Sequence, residues 1–270
     1  MHPILFEIAR FPVYTYGVLL AAAYLLGLQF ALVRARTRGL DPNRVMDLGI
    51  WIIISALGGA KLLLLIVEFD TYWNNPGELV GLLRSGGVFY GGLIAAVVVA
   101  LWYLRRHKMP TWTVTDVFAP GIALGHVVGR MGCLFAGCCF GRATNVPWAI
   151  TFHNVYAAQN SGTPLNVPLH PTQLYEAGAE LLILLGLLAT EKKGRPFPGR
   201  TFWGYMLMYG ISRFIIELYR GDTRGMVGMF STSQFLSLII VPLSIVMLIL
   251  LGRRFAGPAP QADARRARAA

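Results

Sequence analysis

Seven apolar stretches, separated by short polar segments, organise the chain at about 14–33, 46–67, 88–104, 114–137, 173–190, 201–219 and 234–251. Each is near the ~20 residues that a helix needs to span a hydrocarbon core. The pattern predicts an all-α fold: a polytopic membrane helical bundle of about seven transmembrane helices. The fourth stretch is unusual, with Pro120 and a ladder of Gly121, Gly125 and Gly129 spaced by four. Small residues at that spacing let helices approach closely in lipid, so this helix is expected to be central. The segment at about 140–172 carries His153, Tyr156, Gln159 and several prolines and predicts an irregular region outside the membrane. Beyond a transmembrane domain of 1–252, the Ala-, Pro- and Arg-rich stretch 253–270 predicts a disordered cytoplasmic tail. The opening Met1-His2-Pro3-Ile4 lacks the basic region and cleavage site of a signal peptide, so the first stretch is expected to be retained. No pair of Gly- or Pro-broken helices recurs in two halves, as many transporters would show.

Composition agrees: 55% of residues are hydrophobic and 14% charged, against about a quarter charged in soluble domains. A net charge of +11 raises nucleic acid as a partner, but that requires Lys and Arg gathered on one surface. Instead the basic residues alternate between loops. Arg34, Arg36, Arg38 and Arg44 follow the first stretch; Arg105, Arg106 and Lys108 follow the third. Lys192, Lys193, Arg195 and Arg200 follow the fifth, and Arg253, Arg254, Arg265, Arg266 and Arg268 follow the last. The other side holds only Arg10, Arg84, Arg142, Arg220 and Arg224. The positive-inside rule then places the N-terminus outside and the C-terminus in the cytoplasm. The excess charge is topology, and no nucleic-acid partner is expected.

Ionisable residues inside a span are costly and mark function by default. Here they are Lys61, Asp116, His126, Arg130, Glu176, Glu180, Arg213 and Glu217. At ~1.5 Å per residue, Arg130 lies roughly 20 Å from the cytoplasmic start of its stretch and Arg213 roughly 18 Å into its own. Lys61, Glu176, Tyr16 and Tyr90 fall toward the same outer half. A guanidinium is a planar fork of donors suited to phosphate, so two buried arginines at one level point to a phosphate-bearing lipid. The structural alternative is that Arg213 pairs with Glu217 one turn away and Arg130 with another buried carboxylate. In His170-Pro171-Thr172-Gln173-Leu174-Tyr175-Glu176, Pro171 can start a helix with Gln173, Tyr175 and Glu176 in its first turns. Such a start serves either a site or an interfacial anchor. Cys133, Cys138 and Cys139 form an odd set without the second half of a zinc site. They read as small packing residues, with a Cys133–Cys138 bridge as an alternative, and no metal is expected.

Together these motifs resemble the prolipoprotein diacylglyceryl transferases of bacteria. The matching pieces are Tyr16-Gly17, RSGGVFYGG at 84–92, D-x-x-A-P at 116–120 and GRMGCLFAGCCFGR at 129–142. HPTQLYE at 170–176 and R-x-x-x-E at Arg213 and Glu217 complete them, in the family's order and over most of the chain.

The resemblance implies an enzyme that transfers the diacylglyceryl group of phosphatidylglycerol to the thiol of the lipobox cysteine in a prolipoprotein signal peptide. A thioether forms and glycerol phosphate leaves; no cofactor is implied. It implies a multi-pass protein of the bacterial inner membrane with its site toward the outer leaflet. Arg130 and Arg213 would hold the phosphate, with Glu217 and Tyr90 as further catalytic candidates. Tyr16, Gly91, Gly141, His170, Gln173, Tyr175 and Glu176 would complete the lipid site. Two departures stand out. A histidine found in many members is here Tyr90, and an Asn and a Glu of the arginine signature are Cys133 and Cys138. With an ordinary pKa near ~10, a tyrosine is a poor general base, which leaves the proton acceptor open. The alternative function is an anionic-lipid or small-anion transporter, for which Asp116 near the inner end of the fourth stretch is the supporting residue. A serine nucleophile elbow, G-x-S-x-G, is absent.

Overall fold

The computed structural model describes residues 2–8, 11–75, 77, 79–84, 87–193, 197–222 and 225–255. Seven long helices coincide with the seven apolar stretches: α1 (Thr15–Thr37), α2 (Pro42–Val67), α5 (Phe89–Arg106), α6 (Thr111–Ala136), α8 (Thr172–Lys193), α9 (Arg200–Glu217) and α10 (Thr232–Phe255). Short helices α3 (Phe69–Asn74), α4 (Leu79–Arg84) and α7 (Val155–Ser161) lie between them. Three two-stranded hairpins add β1 (Ile4–Ile8) with β2 (Phe11–Tyr14), β3 (Ile150–Thr151) with β4 (Pro168–Leu169), and β5 (Met226–Val227) with β6 (Phe230–Ser231).

Six of the long helices are apolar and long enough to cross a membrane: α1, α2, α5, α6, α8 and α10. Their outward faces are apolar, with Leu25 68% and Leu182 72% exposed, as lipid rather than water would favour. The protein is therefore an all-α polytopic membrane protein. The remaining long helix, α9, has 18 residues and carries Arg213 and Glu217. Its polarity keeps it out of the six. α10 continues to Phe255, past the expected domain end at 252. The rest of the expected tail, 256–270, lies outside the described residues.

The chain folds as two compact units, one of Met1–Phe30 with Thr115–Ala270 and one of Ala31–Val114. In the smaller unit Asp41 caps α2, accepting from the Asn43 amide at 2.9 Å, with Pro42 in the first turn. That pairing satisfies an amide which the helix start leaves unbonded. α2 and α5 then meet through glycines. A Cβ on Gly92 would lie 2.7 Å from the Ala56 carbonyl oxygen, and Gly91 abuts the backbone of Gly59. Lys61 donates to the Leu82 carbonyl at 2.6 Å, so this half-buried ammonium meets backbone oxygen.

In the larger unit, α1 and α6 pack by the same device. A Cβ on Gly27 would stand 2.7 Å from the Gly121 oxygen, and one on Gly125 would stand 3.2 Å from the Ala23 oxygen. Two of the three rungs of the expected ladder are thus helix contacts. Gly121 and Gly125 are contacts, Gly129 faces open space, and Gly132 packs on Tyr16 and Leu19 instead. Ala119 and Ala123 of α6 join Ile183, Leu184 and Leu187 of α8 and Tyr205 of α9 in one apolar core. Asp116 of α6 accepts from the amides of Gly199 at 2.7 Å and Phe202 at 2.8 Å. It closes the start of α9, where unpaired amides and the helix dipole favour a carboxylate. Asp116 therefore has a structural role, and it no longer speaks for a transport path.

The segment at 140–172 is more ordered than its composition suggests. Phe140, Phe152 and Leu169 form a small core, α7 is capped by Asn154, and β3 pairs with β4.

Candidate active site

Helix periodicity builds the centre of the larger unit. His126 and Arg130 are one turn apart on α6, and Glu176 and Glu180 are one turn apart on α8, so each pair shares a face. The two faces meet as parallel rungs. Arg130 Nε lies 2.5 Å from Glu176 Oε2, and His126 Nδ1 lies 2.6 Å from Glu180 Oε1. Tyr205 of α9 brings its hydroxyl to 3.2 Å from His126 Nδ1.

A third helix completes the upper rung. Arg213 of α9 places Nη1 2.6 Å from Glu176 Oε1 and Nη2 2.6 Å from Glu217 Oε2, and donates to Ser233 Oγ at 3.0 Å. Arg220, just past α9, reaches the same Glu176 Oε1 at 2.6 Å and grips Asp222 with two bonds of 2.8 Å. Glu176 is thus the shared acceptor of three guanidiniums and is nearly inaccessible, 5% exposed. Burial lowers the pKa of Arg220, but its hydrogen bond to Asp222 and the charges around it outweigh that, and the net shift is upward. It is a permanent cation.

Sequence reasoning counted Arg220 among the loop residues that set topology. The spacing Arg213, Glu217, Arg220 would put the three on one face of a continuing helix, but α9 ends at Glu217. Beside these groups lies a cleft of about 430 Å³, whose lining includes Arg142, Glu217, Arg220, Asp222, Met226 and Met229. Arg142 donates to the Arg220 carbonyl at 3.1 Å. Four guanidiniums therefore face three carboxylates, which leaves about one positive charge for an incoming anion.

The segment 170–176 divides its labour. Glu176 enters the arginine cluster. Thr172 Oγ1 and Gln173 Nε2 donate to the carbonyls of Cys139 and Cys138, each at 2.7 Å. Trp148 donates to the Tyr175 hydroxyl at 2.7 Å, and that hydroxyl meets His170 Nδ1 at 3.0 Å. His170 and Tyr175 thus belong to an aromatic group with Tyr219 rather than to the charged cluster. Gly141 is a wedge. Its amide donates to the His170 carbonyl at 3.0 Å, and a Cβ there would lie 2.5 Å from that oxygen and 2.8 Å from the Tyr219 oxygen. Gly141→Ala is expected to lower stability by about 1–3 kcal/mol through overpacking, read as a lower Tm in detergent.

Of the residues the sequence singled out, Arg130, Arg213, Glu176 and Glu217 come together. Gln173 and Gly141 shape the loop beside them, and Tyr16 lies against Gly132, where a Cβ would stand 3.3 Å from its ring. Tyr90 and Gly91 sit at the start of α5 in the smaller unit, where Gly91 is a helix contact.

The family model for prolipoprotein diacylglyceryl transferases matches residues 3–250. The chain belongs to this family. A phosphatidylglycerol–prolipoprotein diacylglyceryl transferase of Clostridium tetani is 35% identical over 91% of this chain and 96% of its own. One of Finegoldia magna is 32% identical over 92% and 95%, and one of Listeria monocytogenes 34% identical over 92% and 89%. Membership makes the protein a transferase of lipoprotein biosynthesis, and the buried arginines are the feature of this family member that suits a charged lipid.

Proposed function

We propose that the protein transfers the diacylglyceryl group of phosphatidylglycerol to the lipobox cysteine thiol of a prolipoprotein, at the cluster around Glu176. The observation that carries the reading is the convergence of Arg130, Arg213 and Arg220 on one buried carboxylate. Each guanidinium has five donors. Arg130 spends one on Glu176 and one on Cys139 Sγ, and Arg213 makes contacts to Glu176, Glu217 and Ser233, so the forks have capacity for phosphate oxygens beyond these contacts. Glu217 and Glu176 hold the forks in place.

The substrate sulfur attacks the glyceryl carbon, the carbon–oxygen bond to phosphate breaks, and the oxygen leaves with the electron pair as glycerol phosphate. Negative charge on the phosphate grows in that step, so fixed cations in a water-poor site favour the transition state over the bound lipid. The thiol, with an ordinary pKa near ~8.5, must also lose its proton. Two residues compete for that role: Tyr90, by its place in the motif, and His126. The geometry favours His126, because Glu180 and Tyr205 hold its Nδ1 and leave Nε2 to accept, one turn from Arg130. His126→Gln is expected to slow transfer by about a hundredfold, with Tyr90→Phe close to wild type. The reverse ranking assigns the proton to Tyr90.

The alternation of basic loops supports an outside N-terminus, a cytoplasmic C-terminus and seven crossings in the inner membrane, with the cluster toward the outer leaflet. Tyr16, Gly141, His170, Gln173 and Tyr175 are assigned to shaping the lipid site. The test is incubation of the purified protein with phosphatidylglycerol and a lipobox peptide. One diacylglyceryl group gained on the cysteine, with glycerol phosphate released, is the expected result. Anion flux across vesicles without covalent change is the result for a transporter.

A further inference from the structure

The three cysteines, which the spacing alone gave no metal, come together in space. Their Sγ atoms all lie within 4.8 Å of one another, and no disulfide joins them. Cys133 belongs to the last turns of α6, and the chain then doubles back. Gly137 at φ 80 and Cys139 at φ 61 are both left-handed. That conformation is easy for glycine, but for cysteine it is strained and persists only where the surroundings enforce it. The enforcement is visible. Thr163 Oγ1 donates to the Gly137 carbonyl at 2.8 Å, Gln173 Nε2 to that of Cys138 and Thr172 Oγ1 to that of Cys139, both at 2.7 Å. Three side chains from outside the loop thus fix three successive carbonyls, and the result is that the last two sulfurs fold back on the first. Packing alone does not need this strain, since small residues fill space in any backbone conformation.

We infer that Cys133, Cys138 and Cys139 form a preorganised three-thiolate site for a single soft d10 cation of the Cu(I) class. With metal–sulfur bonds of about 2.3 Å, the sulfurs of a trigonal site stand about 4 Å apart, close to the separations of at most 4.8 Å seen here. Among the described residues no His or carboxylate joins the group, so a cation content with three soft donors fits better than one needing a fourth. Binding of Cu(I) forms three copper–sulfur bonds and releases up to three thiol protons to water; no oxidant or reductant is needed. Arg130, whose Nη1 donates to Cys139 Sγ at 3.7 Å, offsets part of the resulting negative charge.

The site is tested with the full-length protein in detergent, reduced and under nitrogen, by titrating Cu(I) against a chromophoric Cu(I) chelator. One Cu(I) per chain is expected to be withheld, with a rise in Tm and an X-ray absorption edge and shell of three sulfurs. C133S, C138S and C139S should each weaken retention by about a hundredfold or more, at least the loss that outer-shell changes produce. Size-exclusion profiles report folding, and C138A replaces any serine variant that aggregates. No withheld ion, an affinity indifferent to any one of the three thiols, or Zn(II) withheld where Cu(I) is not, overturns the inference. None of these readings depends on transferase activity, so they stand apart from the function proposed above.

Discussion

Replacing Arg130 or Arg213 by Lys lowers transfer to a lipobox peptide by about a hundredfold or more, while the variant protein stays folded. The reason lies in the contacts. Arg130 points Nε at Glu176 and Nη1 at Cys139, and Arg213 reaches Glu176, Glu217 and Ser233 at once. A lysine ammonium keeps the charge but is a single point, so it can hold the carboxylate or the phosphate and not both in fixed geometry. The measurement is the rate of mass gain on the peptide at saturating phosphatidylglycerol, with gel filtration to confirm folding. Near-normal rates in both variants would remove the phosphate clamp from these residues.

Glu176→Gln acts on stability instead. It leaves Arg130, Arg213 and Arg220 converging without their shared anion, and breaking a buried pair from one side costs about 3–5 kcal/mol. Here three cations lose one partner, although Glu217 and Asp222 still serve two of them. The expected readout is a large drop in Tm in detergent. Glu180→Gln, which disturbs only the His126 rung, should lower it far less. Equal drops in the two variants would show that Glu176 is no more central than its neighbour.

Much of this was legible in the chain. The apolar stretches located all seven long helices to within a few residues, because length and hydropathy are local properties. Arg130, Arg213, Glu176 and Glu217 announced themselves by being charged inside such stretches. Arg220 did not, because it lies just past the end of its helix and its partner Glu176 is 44 residues away. His126 and Glu180 were visible as polar intruders, but their 2.6 Å contact depends on how α6 and α8 face each other. The cysteines illustrate the same gap. Their spacing matches no linear metal motif; the grouping comes from two left-handed residues and three distant donors. The order within 140–172 was hidden too, since short pairings such as Ile150 with Leu169 leave little periodicity.

The single shared acceptor also has a consequence for biogenesis. Chains are made from the N-terminus, and Glu176 follows Arg130 but precedes Arg213 and Arg220. Until α8 leaves the ribosome, α6 carries an arginine with no acid to meet it, a costly cargo for lipid. Once α8 is in place, each arginine of the next segment finds its counterion already waiting. A nascent chain arrested before residue 172 should therefore hold α6 at the translocon, and release it into the bilayer only as α8 arrives.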